Sequence, residues 1–145
     1  MGTIAKNKKA YHDFHIIEEY EAGIKLVGTE VKSCRQNNVS LKEGFAVVKD
    51  NEIFLHNVHI SPYKEGNREN HEPTRTRKLL LNKKEIKDIK EAIDRKGMTL
   101  VPLSMYTSRC FIKVKLGLAK GKDRFDKRES IKEREDKRKM DRLMK

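Results

Sequence analysis

The run Cys110-Phe111-Ile112-Lys113-Val114-Lys115-Leu116-Gly117-Leu118 alternates its side chains in steps of two, the period of an extended strand and not of a helix. Cys110, Ile112, Val114, Leu116 and Leu118 are expected inward, with Phe111, Lys113 and Lys115 outward. Residues 98–106, just upstream, form another strand-like segment. Before it lies the clearest helix, 83–96. Asn82 caps it with Glu85 three residues on, Ile86, Ile89 and Ile93 make the buried stripe, and Gly97 after Arg95-Lys96 stops it.

Farther out, 41–49 and 52–60 read as a hairpin around Asp50-Asn51, with alternation at Phe45/Val47 and Ile53/Leu55. Segment 14–26 sets Phe14, Ile16, Tyr20, Ile24 and Leu26 on even positions, a strand with Gly23 expected as a bulge. Gly28-Thr29 end it and open a short helix through Val31 and Cys34. Between Pro62 and Arg77 the chain becomes a long polar loop. Short strands with one late helix, without repeated βαβ crossovers, predict a mainly β fold. The expected architecture is an OB-fold-like closed barrel with flanking short helices and a basic, helix-competent C-terminal tail.

Lys and Arg total 34 against 22 Asp and Glu in 145 residues, a net charge of +12. One domain and a polyanionic partner follow: RNA, DNA or an anionic membrane surface. No apolar run approaches the roughly 20 residues that span a bilayer, and no secretory leader is recognised, so a soluble cytoplasmic protein is expected. Cys34 and Cys110, in that compartment, are expected as reduced core thiols. Composition divides the chain near Leu118, into a barrel at 1–118 that includes a basic N-terminal arm and a tail at 119–145. The tail carries 12 basic and 7 acidic side chains, with only Ala119, Phe125, Ile131, Met140, Leu143 and Met144 apolar. So little apolar surface does not offset the entropy of ordering. Ser130-Ile131-Lys132-Glu133 is nevertheless a capping box, and Glu133/Lys137 and Glu135/Lys139 are favourable helical pairs. The tail is expected to be disordered when free and helical once bound.

Three basic elements stand out. Thr74-Arg75-Thr76-Arg77-Lys78 precedes Leu79-Leu80-Leu81. Its hydroxyls and guanidiniums suit phosphate and sugar oxygens, although a solvated basic loop would read the same way. Lys120-Gly121-Lys122 lets backbone approach a phosphate. Asn7-Lys8-Lys9-Ala10-Tyr11-His12 offers rings for base stacking, or is a frayed basic arm. His12/His15 and His56/His59 have metal-like spacing, but strand residues three apart face opposite sides and no Cys-x-x-Cys accompanies them, so no metal is expected. Glu18, Glu19 and Glu21 read as an exposed strand face. There is no nucleophile elbow, P-loop or dinucleotide fingerprint, and neither an enzyme nor a cofactor is expected.

Several segments together resemble one family, small protein B, the transfer-messenger RNA-binding protein of bacteria. They are Asn7-Lys8-Lys9-Ala10-Tyr11-His12-Asp13, Tyr20-Glu21-Ala22-Gly23, Gly28-Thr29-Glu30-Val31-Lys32-Ser33 and Pro73 through Asn82. Leu118-Ala119-Lys120-Gly121-Lys122, Asp126-Lys127-Arg128 and Ile131-Lys132-Glu133-Arg134-Glu135 follow in family order. The resemblance implies an OB-type barrel that binds the tRNA-like domain of transfer-messenger RNA and delivers it to the empty A site of stalled ribosomes. The tail would fold in the vacant mRNA channel, and translation would resume on the RNA's own reading frame, tagging the stalled product for proteolysis.

Implied RNA-binding residues are Asn7, Glu21, Leu81, Asn82, Lys120 and Lys122, beside the basic candidates Lys8, Lys9, Tyr11, His12, Arg75, Arg77 and Lys78. Phe125, Asp126, Lys127 and Arg128 would sit near the decoding centre in 16S rRNA. Ile131, Lys132, Arg134, Lys137, Arg138, Leu143 and Met144 would lie along the channel. Elongation factor Tu, carrying the alanylated RNA, would be an indirect partner. The family often has His at the position of Phe125 and Trp at that of Asp136. The competing reading is another OB-type ribosomal or translation-factor RNA-binding protein.

Overall fold

The structure, a computed structural model, describes residues 2–63 and 70–121. The elements in chain order are β1 (Gly2–Lys6), α1 (Lys8–Asp13), β2 (Phe14–Ile24), α2 (Gly28–Arg35), β3 (Val39–Ser40), β4 (Phe45–Lys49) and β5 (Glu52–His56). They continue with β6 (His59–Ile60), β7 (Arg77–Leu80), α3 (Lys83–Lys96), β8 (Thr99–Ser108) and β9 (Phe111–Gly121). All strand pairs are antiparallel, in the order β1-β8-β4-β5-β7-β2-β9, and β8 pairs with β9 as well. The series β8-β4-β5-β7-β2-β9 therefore returns to β8. Two joints of this ring are narrow: β4 meets β8 only at Ala46↔Leu100, and β2 meets β7 at Gly23↔Leu80 and Ile24↔Leu79. β3 and β6 pair as a separate two-stranded sheet, whose Ile60 is buried in the main core.

The alternation along β9 sends Ile112, Val114, Leu116 and Leu118 into a core shared with Ala22, Ile53, Leu55, Leu79, Leu100 and Met105. α3 contributes its isoleucine stripe, with Ile89 fully buried and Ile86 and Ile93 packed beside it. Its ends are those expected: Asn82 Oδ1 accepts from the Glu85 N–H at 2.9 Å, and Gly97 closes it in the left-handed region at φ 63°. β4 and β5 turn through Asp50 and Asn51, both at positive φ, which Asp and Asn tolerate better than most side chains.

The other side of the β8–β9 pair is buried too. Ala10, Val101, Leu103 and Ala119 form a second cluster with Phe14 and Ile16. Two register shifts make this possible, one between Ile16 and Glu18 and one between Pro102 and Ser104. Each adds a residue to one strand and moves the residues beyond it to the other face. Thus Phe14 and Ile16 join the outer cluster while Tyr20 and Ile24, in the same period-two series, pack on the main core.

Several expectations are corrected. The bulge in β2 falls at Ile17, between the two shifted pairs, while Gly23 stays in register with Lys113 and Leu80. Cys110 is exposed because Ser108 pairs with Phe111, leaving Arg109 and Cys110 as the two-residue turn, with Arg109 at φ 59°. Cys34 is the core thiol. Burial pushes its pKa up to about 12, and its Sγ lies 3.8 Å from Met105 Sδ. The second hairpin strand ends at His56, because Asn57 at φ 60° breaks the extended path before β6. At the N-terminus, the segment read as an arm is ordered as β1 on β8 followed by α1. β9 continues past Leu118 to Gly121, since Ala119 is buried in the second cluster.

Gly44 marks a close approach. A Cβ there would stand 2.7 Å from Val58 Cγ2, 3.0 Å from Pro102 Cγ and 3.2 Å from the Leu41 carbonyl. Gly44→Ala should therefore lower stability by about 1–3 kcal/mol through overpacking. Urea unfolding followed by circular dichroism measures it; an unchanged midpoint would mean the neighbours yield freely.

Candidate nucleic-acid interface

The open face of β2, β9 and β8 mixes charge with two aromatic rings, Tyr106 and Phe111. Registers align Glu21, Lys115 and Ser104 in one row across the three strands, and Gly23, Lys113 and Tyr106 in the next. The Tyr106 hydroxyl donates to Glu21 Oε2. Burial first, then the hydrogen bond to Glu21 and its charge, push the Tyr106 pKa well above the ordinary phenol value, so the hydroxyl stays protonated near neutrality. Lys115 Nζ lies 3.7 Å from Glu19 Oε1, both side chains being nearly half exposed. Such a pair contributes about 0–1 kcal/mol and gives way readily to a stronger anion. Lys113 Nζ stands 6.0 Å from the ring centre of Phe111, which is 66 % exposed. Donors, an acceptor and a free ring share one face, the equipment for phosphate contact and base recognition together. Sequence reasoning singles out Glu21 but not Tyr106. Only the register brings them together, across 85 residues of sequence.

The Thr74–Lys78 motif does something different. Arg77 is fully buried; its Nε donates to Glu30 Oε2 at 2.6 Å, Nη1 to the Val58 carbonyl at 2.8 Å and Nη2 to the Pro73 carbonyl at 2.9 Å. Arg75 donates to the same carboxylate, Nη2 to Oε1 at 2.6 Å and Nε to Oε2 at 3.1 Å. Glu30 is itself fully buried in the first turn of α2, where Oε1 also accepts from the Val27 N–H at 2.9 Å. Burial pushes the Glu30 carboxyl up, but the bonds from Arg75, Val27 and Arg77 outweigh it and hold it below the usual carboxylate range. Thr74 Oγ1 turns to Glu72 at 3.1 Å and Lys78 to Glu52 at 2.8 Å. A motif read as phosphate-seeking thus spends its guanidiniums mainly on the fold.

The remaining candidates are distributed. Asn7 is buried, its Nδ2 donating to the Leu41 and Pro102 carbonyls at 3.1 and 2.9 Å and its Oδ1 accepting from the Ala10 N–H at 3.2 Å. It positions α1, on which Lys8, Tyr11 and His12 are exposed and Lys9 lies 3.5 Å from Glu43. His12 Nδ1 faces Asp13 Oδ1 at 2.9 Å. Leu81 is half-buried on the core, Asn82 is the exposed cap of α3, and Lys120 sits opposite His15 at the end of β9. The His pairs are split between elements: His12 in α1 and His15 in β2, His56 in β5 and His59 in β6. Among the described residues no three His, Cys, Asp or Glu gather as a metal site, and no helix is long and apolar enough to cross a membrane. Lys122 and the tail candidates Phe125, Asp126, Lys127, Arg128, Ile131, Lys132, Arg134, Lys137, Arg138, Leu143 and Met144 lie outside the described residues.

Comparison with known proteins gives this face its context. The family model described as SmpB protein matches residues 4–145. The chain belongs to that family. It is 55 % identical over 140 residues to the SsrA-binding protein of Geobacillus kaustophilus, covering 97 % of this chain and 90 % of the relative. The SsrA-binding protein of Streptococcus mutans is 56 % identical over 144 residues, covering 99 % and 93 %. Among solved structures it is similar, at TM-score 0.71 and 46 % identity over 88 % of this chain and 93 % of the other, to one described as "tmRNA-SmpB: a journey to the center of the bacterial ribosome".

The buried cluster sets a test of its own. Glu30→Gln should cost about 3–5 kcal/mol, because it leaves Arg77 buried beside an uncharged amide. A lowered folded-state pKa contributes stability that is full above the ordinary value of 4.5 and lost as pH falls below it. The gap between wild type and Glu30→Gln should therefore narrow on acidification. Unfolding curves at neutral pH and below 4.5 check this; a gap independent of pH would assign the cost to packing.

Proposed function

We propose that the chain binds the tRNA-like domain of transfer-messenger RNA on the open face of β2, β8 and β9 and delivers it to the empty A site of stalled ribosomes. The observation that carries this reading is the Glu21–Tyr106 hydrogen bond set among Lys113 and Lys115 in a chain of this family. Lysines attract any phosphate chain, but a carboxylate on the same face repels one unless base or sugar donors meet it. Tyr106 holds one Glu21 oxygen in place, which preorganises the acceptor. Lys120 adds a positive charge at the end of β9, and Leu81 and Asn82 lie where β7 hands over to α3. The relatives' names, SsrA-binding protein, and the solved complex of tmRNA with SmpB support this choice of RNA.

The ring of strand pairings supports reading the fold as a closed OB-type barrel. In this proposal the tail carries the ribosomal half of the function. Phe125, Asp126, Lys127 and Arg128 meet the decoding centre, and the segment from Ile131 to Met144 folds as a helix in the vacant mRNA channel, where rRNA phosphates offset the cost of ordering it. The role is one of binding and placement in trans-translation, with no covalent step assigned to the protein, in the cytoplasm where ribosomes work.

Deleting residues 123–145 should leave affinity for the tRNA-like RNA within about twofold, since few phosphate contacts are removed, yet abolish alanine transfer on stalled ribosomes. Filter binding and a peptidyl-transfer assay on the same truncated protein decide it. Loss of RNA binding equal to the loss of transfer, or retention of both, would overturn the division.

A further inference from the structure

Where α3 meets β2 the surface is both negative and apolar. Ile17, the bulge residue of β2, is 56 % exposed, and with Ala92, Met98 and Leu118 it lines a groove of about 290 Å³. Glu18, Asp88 and Glu91 line the same groove, and none of the three forms an ion pair among the described residues. Burial first, then the charges of Glu18 and Asp88, push the Tyr20 hydroxyl above the ordinary phenol value. The groove follows the C-terminal half of α3, where the helix dipole adds to the negative potential and Arg95 and Lys96 of the last turn offset part of it. Such a surface repels a phosphate chain and suits a cationic segment with apolar side chains.

We infer that this groove is the docking site of the chain's own residues 137–145 in the free protein. The charge of the tail is unevenly placed. Residues 122–136 carry six basic and six acidic side chains, whereas 137–145 carry five basic ones against Asp141 alone. Met140, Leu143 and Met144, at i, i+3 and i+4, give that last segment an apolar side to set against Ile17 and Met98. Reach is ample. Leu118 lines the groove and pairs with Glu18, and β9 ends at Gly121, about 10 Å farther along the strand. The fifteen residues of 122–136 span roughly 20 Å as a flexible coil. A tether of that length holds the segment at an effective concentration on the order of millimolar, so weak ion pairs suffice. Docking keeps the most cationic part of the tail off indiscriminate phosphate, and confines disorder in the free chain to residues 122–136. The segment leaves the groove to enter the mRNA channel, a second step that alone rests on the function proposed above.

Backbone amide shifts of the isotopically labelled full chain test this with no RNA present, so a failure here leaves the RNA reading untouched. Lys137→Gln/Arg138→Gln/Lys139→Gln/Arg142→Gln should move the amides of residues 17–20 and 88–98 and leave those of Ile53 and Leu55 in place, which also shows that the fold is kept. The same tail substitutions should lose that effect in a chain that already carries Glu18→Gln/Asp88→Asn/Glu91→Gln, because a contact broken from one side cannot be broken again from the other. Wild type gives an independent reading: roughly 1 M salt, which shortens the screening length to about 3 Å, should move the same amides in the same direction. Groove amides that respond neither to the tail substitutions nor to salt would overturn the inference. Equal shifts in the groove-neutralised chain would place the tail elsewhere, and shifts that shrink on dilution would assign the groove to the tail of a second copy; either outcome overturns it as well.

Discussion

The Glu30 carboxylate, sealed from water, collects two guanidiniums and a backbone N–H. An isolated buried carboxylate costs several kcal/mol, and so does an isolated buried guanidinium. Each tolerates the interior only because the other is there. The consequence is geometric: α2, the turn at Glu72–Pro73, the carbonyl of Val58 and the start of β7 are held at one point. From that point Leu79 enters the core and the chain runs through Leu81 to the cap of α3. His71 braces the same region, one ring nitrogen on Thr29 Oγ1 and the other on the Ile60 carbonyl, both at 2.8 Å. Such a network fixes position more than it adds net stability, since a well-packed apolar replacement can do as well energetically.

With β7 fixed, the strand ring can present one ordered face. Outward positions of β2, β8 and β9 carry Glu21, Tyr106, Lys113 and Lys115 on strands whose inward neighbours Ala22, Met105, Val114 and Leu116 are fully buried. Side chains mounted on packed strands start from a fixed backbone, so ordering them on a partner costs less entropy than ordering a mobile loop. The second cluster, around Leu103 and Ala119, stiffens the far end of the same pair. Gly117 belongs to this design: a Cβ there would come within 2.9 Å of Leu103.

Much of this is legible in the sequence. The stripe and both caps of α3, the alternation of β9 and the turn at Asp50-Asn51 come from local rules, which a strong period and proper end signals make dependable. Legibility fails where a choice depends on distant residues. A two-residue period cannot show that Ile17 and Leu103 shift the register, because the series stays apolar on both sides of each bulge. Arg77 resembles a phosphate ligand in sequence, and only the arrival of Glu30, 47 residues away, makes it an interior ion. Asn7 reads as part of a basic arm, yet its amide bonds to carbonyls 34 and 95 residues away. Glu21 is singled out only through resemblance, its hydroxyl partner lying 85 residues downstream.

On this account the alternating Arg motif serves the fold, and the proposed RNA seat is the β2–β8–β9 face. Titrating the isotopically labelled 17.0 kDa chain with the tRNA-like RNA, and following backbone amide shifts, tests this most directly. The account predicts the largest shifts at Glu19–Gly23, Ser104–Thr107 and Lys113–Gly117, with Arg75–Lys78 little moved. Shifts centred on Arg75–Lys78, with the three strands silent, would contradict it.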